Sequence, residues 1–254
     1  MKVSIITVVY NNKSCIEDCI RSVISQTYND IEYIIIDGKS IDGTLDIINK
    51  YKGKISKIVS EKDPGQIYAL NKGIDLACGD AIGFLHSDDL YVDNNVLSDA
   101  VDAFENSGAD AVYGDIVYVN RADTNKVHRY WRAGEGDRYK ISNGWMPPHP
   151  ALFIKKEIYD KYGDFNTSFA ISADYEIILR FLYMHRIRIS YMHRLCVKMR
   201  TGGVSNRNIV TVIRKSHEDY KACKIYGIKK PGYIVMLKNL RKIPQFFRKR
   251  KDTC

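Results

Sequence analysis

Val3-Ser4-Ile5-Ile6-Thr7-Val8-Val9-Tyr10-Asn11-Asn12 is β-favouring and almost wholly apolar until it stops at two asparagines. A strand covered on both faces reads this way, as a continuous apolar run. No small-residue cleavage site follows, so the expectation is a buried first strand and not a signal peptide. Working outward, Asn12–Ser25 sets Cys15, Ile16, Cys19, Ile20 and Val23 at helical spacing. Strand-like runs at Ile31–Ile36, Ile55–Val59, Ala81–Leu85 and Ala111–Val119 alternate with helical patterns at Thr44–Tyr51, Gln66–Ala77 and Asn94–Glu105. Repeated βα units predict an α/β fold, a Rossmann-like and mostly parallel sheet with helices on both faces.

The second half is less regular. Residues 121–150 are polar, aromatic and Gly-bearing, with Pro147, Pro148 and Pro150 close together, which suggests an irregular excursion. Ile154–Tyr162 and Ala173–Met184 read as helices, although Ala151–Lys155 is also strand-like. Arg186–Tyr191 and Cys196–Met199 read as short strands, Ile209–Tyr226 as a helix, and Tyr233–Lys251 as a basic, partly amphipathic one.

A chain of 254 residues and 29.2 kDa fits one large domain, or one domain with a small appendage. Hydrophobic residues make up 45% and charged residues 27%, which excludes wholesale disorder. The net charge of +9 is unevenly placed. Ser205 to Cys254 holds 14 Lys/Arg against three Asp/Glu, leaving 25 basic and 27 acidic residues in the remainder. A slightly acidic body argues against a body-wide nucleic-acid surface and for a basic C-terminal extension. The expected division is a domain over 1–205, with halves 1–120 and 121–205, followed by a basic helical extension over 206–254. The six cysteines form no CxxC pair, so free thiols in a reducing compartment are expected, not a zinc site. No run of about 18 apolar residues marks a transmembrane helix.

In open α/β sheets ligands bind beyond the carboxyl ends of the strands. Here those ends read Tyr10-Asn11-Asn12, Asp37-Gly38-Lys39-Ser40-Ile41-Asp42-Gly43, Ser60-Glu61-Lys62-Asp63-Pro64-Gly65 and His86-Ser87-Asp88-Asp89. Acidic groups thus gather at consecutive strand ends. Asp88-Asp89 is the sharpest pair, because adjacent carboxylates repel unless they share a cation. Mg²⁺ and Mn²⁺ prefer carboxylate oxygen and are often completed by substrate phosphates. A helix-cap pair ahead of Leu90 is the plainer alternative.

The ordered set of Val3–Tyr10 with Asn11, Asp37-Gly38-x-Ser40-x-Asp42-Gly43-Thr44, Asn71-Lys72-Gly73-Ile74, Gly79-Asp80 and Ser87-Asp88-Asp89 resembles the family 2 inverting glycosyltransferases of the GT-A fold. The resemblance is strong over about 1–120 and looser over about 145–205. It implies that Thr7, Val9, Tyr10 and Asn11 line a nucleotide pocket. Asp37 would accept the uracil imide N–H, with Lys39 and Ser40 on the same loop. Glu61 and Asp63 would flank the base, and Asn71 and Lys72 would face the diphosphate. Asp88 would face ribose and diphosphate and share Mn²⁺ or Mg²⁺ with Asp89, the principal metal ligand. Two positions depart from the pattern: Ser87 stands where Asp is frequent, and Tyr68 likewise.

On the acceptor side, Ser172-Ala173-Asp174-Tyr175-Glu176 resembles the segment carrying the catalytic acidic residue. Asp174 is the expected general base, with Glu176 projecting from another side of the helix and Asp164 next in line. His149, Trp145, Glu176 and Arg200 are candidates for the acceptor or sugar. Trp131 and Trp145 are either sugar-stacking or core residues. Arg200-Thr201-Gly202-Gly203-Val204-Ser205 resembles a Gly-Gly-x-Ser turn of bacterial members. The tail Lys238–Lys251 mixes seven Lys/Arg with Leu240, Ile243, Phe246 and Phe247, which fits an anionic membrane surface.

The expected activity is transfer of a sugar from a UDP-sugar to a hydroxyl of a glycan, plausibly lipid-linked, in surface polysaccharide synthesis such as O-antigen or capsule. The expected location is cytoplasmic, peripheral on the inner face of the cell membrane, without nucleic-acid partners. The alternatives are a polyprenyl-phosphate sugar synthase of the same fold, a sugar-binding protein without activity, and a basic nucleic-acid-binding protein.

Overall fold

The computed structural model describes residues 1–202 and 209–246. In chain order the elements are β1 (Val3–Val9), α1 (Ile16–Ile24), β2 (Ile31–Asp37), α2 (Thr44–Lys50), β3 (Lys57–Ser60), α3 (Gln66–Leu76), β4 (Ala81–Phe84), β5 (Leu90–Tyr91), α4 (Val96–Ser107) and β6 (Ala111–Val119). Then follow β7 (Val127–Trp131), α5 (Arg138–Ile141), β8 (Leu152–Lys155), α6 (Lys156–Tyr162), α7 (Ala173–Ile178), β9 (Ile189–Arg200), α8 (Ile209–Ile225) and α9 (Pro231–Leu240). α7 runs on as a π-helical stretch, Leu179–Met184.

One nine-stranded sheet has the order β3-β2-β1-β4-β8-β6-β9-β5, with β7 paired to β6. The first four strands of that order are parallel, as the βα repeats predict. β8 enters antiparallel to both β4 and β6, and β6 and β9 are parallel again, so the sheet as a whole is mixed.

Strand alternation sends side chains to two cores. Ile5, Val9, Tyr33 and Ile35 meet α1, α2 and α4 on one face, while Ile6, Ile34, Ile36 and Phe84 meet α3 and the later helices on the other. Each fully buried aliphatic side chain contributes roughly 1.5–3 kcal/mol. α3 rides close on β1 because position 73 is glycine: a Cβ there would come 2.5 Å from Ile6 Cγ2.

Register aligns the functional edge. Val9 lies opposite Asp37 and Asp37 opposite Ser60, and Leu85 N–H bonds Ile6 O at 3.1 Å as the chain leaves β4. The loops after β1, β2, β3 and β4 therefore emerge side by side.

The second half departs from the spacing in particular ways. Helix does not begin at Ile154: Phe153 and Ile154 pair with Gly83 and Ile82 on one side and Val112 and Ala111 on the other. The two short strands expected over 186–199 are one strand, β9, bent where its pairing with β6 shifts register. The last helix stops at Leu240 and Pro244 falls in a separate 3₁₀ turn, since proline cannot continue a helix; residues 247–254 lie outside the described residues. The irregular 121–150 stretch is pinned by buried Asp115, which accepts from Ala133 N–H (2.8 Å), Tyr130 O–H (2.7 Å) and Tyr191 O–H (2.7 Å). Ala222, Cys223 and Ile234 of α8 and α9 share a core cluster with α3 and α7. Among the described residues no helix is long and apolar enough to cross a membrane.

Candidate active site

The loops after β1 and β2 brace one another. Asn11 adopts φ 47°; its N–H donates to Ser40 Oγ (2.8 Å) and its Oδ1 accepts from Ile41 N–H (2.9 Å). Asp37 is fully buried and accepts from Ser40 N–H (3.1 Å), the Ser40 hydroxyl and the Ser60 hydroxyl (2.6 Å). Its carboxylate is spent on the shape of this loop. Thr7 and Val9 point into the core under α1, where Thr7 Oγ1 donates to Leu85 O at 2.8 Å. Tyr10, Asn11 and Lys39 form the exposed lip, with Ser40 half-buried behind them.

After β3, Lys72 on α3 donates to Glu61 and Asp63 together. The other Asp63 oxygen is buried without a partner. Asn71, one residue earlier, turns the other way. Its amide donates to Phe165 O (2.9 Å) and accepts from Phe165 N–H (3.0 Å), which clips α3 to the second half.

After β4 comes the acidic pair. Asp89 is buried; Oδ1 accepts from Arg200 N–H at 3.1 Å and Oδ2 has no partner among the described residues. Burial, followed by the neighbouring Asp88 charge, pushes its carboxyl well above the ordinary range. Asp88 is part-exposed, with Arg121 Nη1 3.9 Å from its Oδ2. The Arg200 guanidinium donates to the carbonyls of Asp88 and Arg121, both at 3.1 Å, and pairs with Asp18. Arg200 therefore belongs to the acidic motif and not to the acceptor side. Asn12 Nδ2 joins Ser87 Oγ at 2.9 Å, so serine at that position serves as a loop contact. Gly202 takes φ 100°, while Gly203-Val204-Ser205 lies outside the described residues.

Among the described residues no three His, Cys, Asp or Glu side chains are grouped to hold a metal. Two carboxylates suffice for Mg²⁺ or Mn²⁺ when substrate phosphates and waters complete the shell. The partnerless Asp89 oxygen, buried beside a second carboxylate, fits that demand, since a cation is what would hold both ionised.

Next to this edge lies a cavity of about 1480 Å³ whose walls include His86, Trp131, Trp145, His149 and Asp174. Burial alone would raise the Asp174 carboxyl. Lys215, Lys238, His149 and the Tyr175 N–H outweigh it and hold the group below its ordinary value, so it is ionised at neutral pH. His149 is stacked on Phe84 at 5.5 Å and meets Phe165 edge-on at 5.6 Å. Burial lowers its pKa to about 4, which leaves a neutral imidazole beside Asp174. His86, two residues before Asp88, lines the same cavity; burial lowers its pKa, opposed by the charges of Asp88 and Asp174.

Trp145 is a wall and not a free platform. Its Nε1 donates to Ala133 O at 2.8 Å, and its ring lies so close to Gly136 that a Cβ there would come within 1.8 Å. Glu176 is buried away from the cavity, paired with Arg180 at 3.1 Å and accepting from Tyr226 O–H. Asp164 is not among the cavity's lining residues; its backbone carbonyl accepts from Arg180.

Sequence reasoning missed a residue that anchors the turn just before Asp174. The Glu218 carboxylate on α8 accepts the N–H groups of Ala170 (3.3 Å), Ile171 (2.8 Å) and Ser172 (2.9 Å), tying the residues ahead of α7 to another element. No local spacing reveals an anchor supplied from so far along the chain. Glu218→Ala is expected to cost about 1–3 kcal/mol in urea unfolding and to lower turnover more than UDP binding. Undiminished turnover in the variant would remove Glu218 from the positioning of Asp174.

Known proteins resemble this chain in sequence and in fold. The "PGL/p-HBAD biosynthesis glycosyltransferase" of Mycobacterium tuberculosis is 31% identical over 209 residues, covering 80% of this chain and 78% of that protein. Staphylococcus aureus TarS solved with UDP-GlcNAc aligns with TM-score 0.66 at 18% identity, over 88% of this chain and 71% of the solved one. Mannosyltransferase PcManGT from Pyrobaculum calidifontis, in complex with GDP-Man and Mn²⁺, aligns with TM-score 0.64 at 17% identity, over 97% of this chain and 73% of that chain. The family model described as "Glycosyl transferase family 2" matches residues 4–172, and the chain belongs to that family.

Proposed function

We propose that this glycosyltransferase moves a sugar from a UDP-sugar to a hydroxyl of a glycan acceptor with inversion at the anomeric carbon, in surface polysaccharide synthesis. The observation that carries the reading is Asp174: an ionised carboxylate lining the same large cavity as His86, which immediately precedes the acidic motif at the sheet edge. The acceptor O–H attacks the anomeric carbon in line, the bond from that carbon to the diphosphate oxygen breaks, UDP departs, and Asp174 takes the hydroxyl proton. Neutral His149 orients the acceptor without competing for that proton. The lip of Tyr10, Asn11 and Lys39 receives the nucleotide. Asp37 acts on the base by shaping the loop, and Lys72 with Glu61 and Asp63 forms the far wall. Asp88 and Asp89 would hold Mn²⁺ or Mg²⁺, which supplies neutralisation of the leaving diphosphate.

UDP is expected to raise the melting temperature more than GDP or CMP, with Mn²⁺ enlarging the shift and EDTA reversing it, because a ligand of the native state stabilises it. Equal shifts for all nucleotides, indifferent to EDTA, would refute the donor pocket.

The cations lining the cavity favour one second reading, a polyprenyl-phosphate sugar synthase, in which a phosphate oxygen attacks and no base is needed. Asp174→Asn separates the two. Hydroxyl transfer should fall roughly 10²–10⁴-fold in single-turnover assays, with UDP-sugar binding retained. A nearly unchanged rate with a polyprenyl phosphate would establish the synthase.

The protein is proposed to act on the cytoplasmic face, held to an anionic membrane by its C-terminal helices. Tyr233, Met236 and Leu240 line the outer side of α9, with Ile243 and Phe246 exposed beyond them, while Ile234, Val235 and Lys238 face inward. Lys238 is thereby withdrawn from the membrane-facing charges expected of the tail. Met236→Glu with Leu240→Glu should abolish sedimentation with anionic vesicles and leave UDP binding intact; undiminished sedimentation would place the membrane contact elsewhere.

A further inference from the structure

The wall of the cavity beside Asp174 carries more positive charge than the described residues neutralise. Lys238 is 5% exposed, its ammonium 2.9 Å from Asp219 and 3.3 Å from the centre of the Tyr175 ring, and among the described residues its Nζ makes no hydrogen bond of good geometry. The same Asp219 carboxylate faces Lys215 at 3.7 Å, so one anion serves two ammoniums. Lys242 donates only to the neutral Asn239 Oδ1, at 2.8 Å, and among the described residues no carboxylate pairs with it. Arg129 holds its guanidinium over the Tyr118 ring at 3.6 Å and 5.3 Å from the Phe246 ring, with Nε buried and without a partner among the described residues. All four cations line the one cavity with Asp174, and Asp174 and Asp219 do not balance them. Burying unpaired charge costs free energy. A guanidinium stacked on its face keeps its in-plane N–H groups for a planar or tetrahedral anion.

We propose that Lys215, Lys238, Lys242 and Arg129 form a phosphate-binding subsite next to Asp174, so that the acceptor hydroxyl belongs to a molecule carrying a phosphomonoester or phosphodiester close by. The inference rests on Asp174 being the base of the proposed transfer. An ionised carboxylate repels a phosphate at the point of attack, so the phosphate is the handle and the hydroxyl the nucleophile. Burial, and secondarily Lys215, lowers the Lys242 pKa, and burial, opposed by Asp219, brings that of Lys238 down to about 8. Burial is the leading cause of both shifts, and an anion bound beside the two ammoniums would oppose it.

The shared chemistry can come from a soluble phosphate ester or from a lipid phosphate, and two pairs of probes distinguish them. Glycerol phosphate is titrated against glycerol in free solution, and a polyprenyl phosphate against the polyprenol in neutral detergent micelles. Each titration is run on the full chain with and without saturating UDP and Mn²⁺. The wild type should bind at least one phosphorylated probe roughly tenfold or more tightly than its neutral partner, with affinity falling as salt rises. That preference should shrink several-fold in Lys242→Gln and in Arg129→Gln, neither of which strands a buried carboxylate. A UDP titration of each variant reports its fold; if one variant is unfolded the other decides. No preference in the wild type for either phosphorylated probe overturns the subsite, as does a preference both folded variants retain. UDP binding with no phosphate preference defeats the subsite alone, whereas phosphate preference without UDP binding keeps the subsite and defeats the donor reading.

Discussion

β8 is the strand on which the rest of the molecule depends. Its residues bond β4 on one side and β6 on the other, both antiparallel. Without it the parallel block β3-β2-β1-β4 and the block built on β6 and β9 would be two sheets. Inserted there, Phe153 and Ile154 carry the sheet and its two cores from the first half of the chain into the second. The chain just before β8 brings His149 against Phe84 at the end of β4. One strand of four residues thus sets the separation between the acidic loop after β4 and the cavity that holds Asp174.

Across that separation the electrostatics change sign. The edge after β4 gathers Asp88 and Asp89, restrained by Arg200 and Arg121. The cavity gathers cations from β7, α8, α9 and the turn after it around Asp174. A carboxylate among cations is kept ionised, whereas burial and the neighbouring Asp88 charge push the Asp89 carboxyl well up. Two carboxyl groups of the same chemistry are suited to opposite tasks by what surrounds them. The long-range bonds Asn71–Phe165 and Glu218–Ile171 keep the two sites in register as one body.

The strand-end motifs were legible because each is local. Tyr10-Asn11, the loop after Asp37, and Ser87-Asp88-Asp89 all emerge at the predicted edge, since parallel βα units leave no other arrangement of their loops. Direction was not legible at that level. Thr7 and Val9 sit at the right height but on the core side of their strand, Asp37 is turned into its own loop, and Asn71 clips another segment. The alternation of β1 accounts for Thr7 and Val9. Asp37 turns to Ser40, three residues on, as well as to Ser60 on the neighbouring strand, and for Asn71 the deciding partner, Phe165, lies far along the chain.

The sequence by itself determined the parallel α/β half, the edge at which its loops meet and the segment that carries Asp174, because apolar periodicity and turn chemistry act over a few residues. It also showed the C-terminal excess of positive charge. Only tertiary structure decided where that charge goes: Lys215 and Lys238 face inward across Asp219, while Tyr233, Met236 and Leu240 face outward. Likewise it separated Asp174, open to the cavity, from Glu176, consumed by Arg180 and Tyr226. The physical reason is common to both. Whether a charged side chain on a helix is solvated, paired or presented to a ligand depends on which distant element lies against that helix, and spacing along the chain does not encode it.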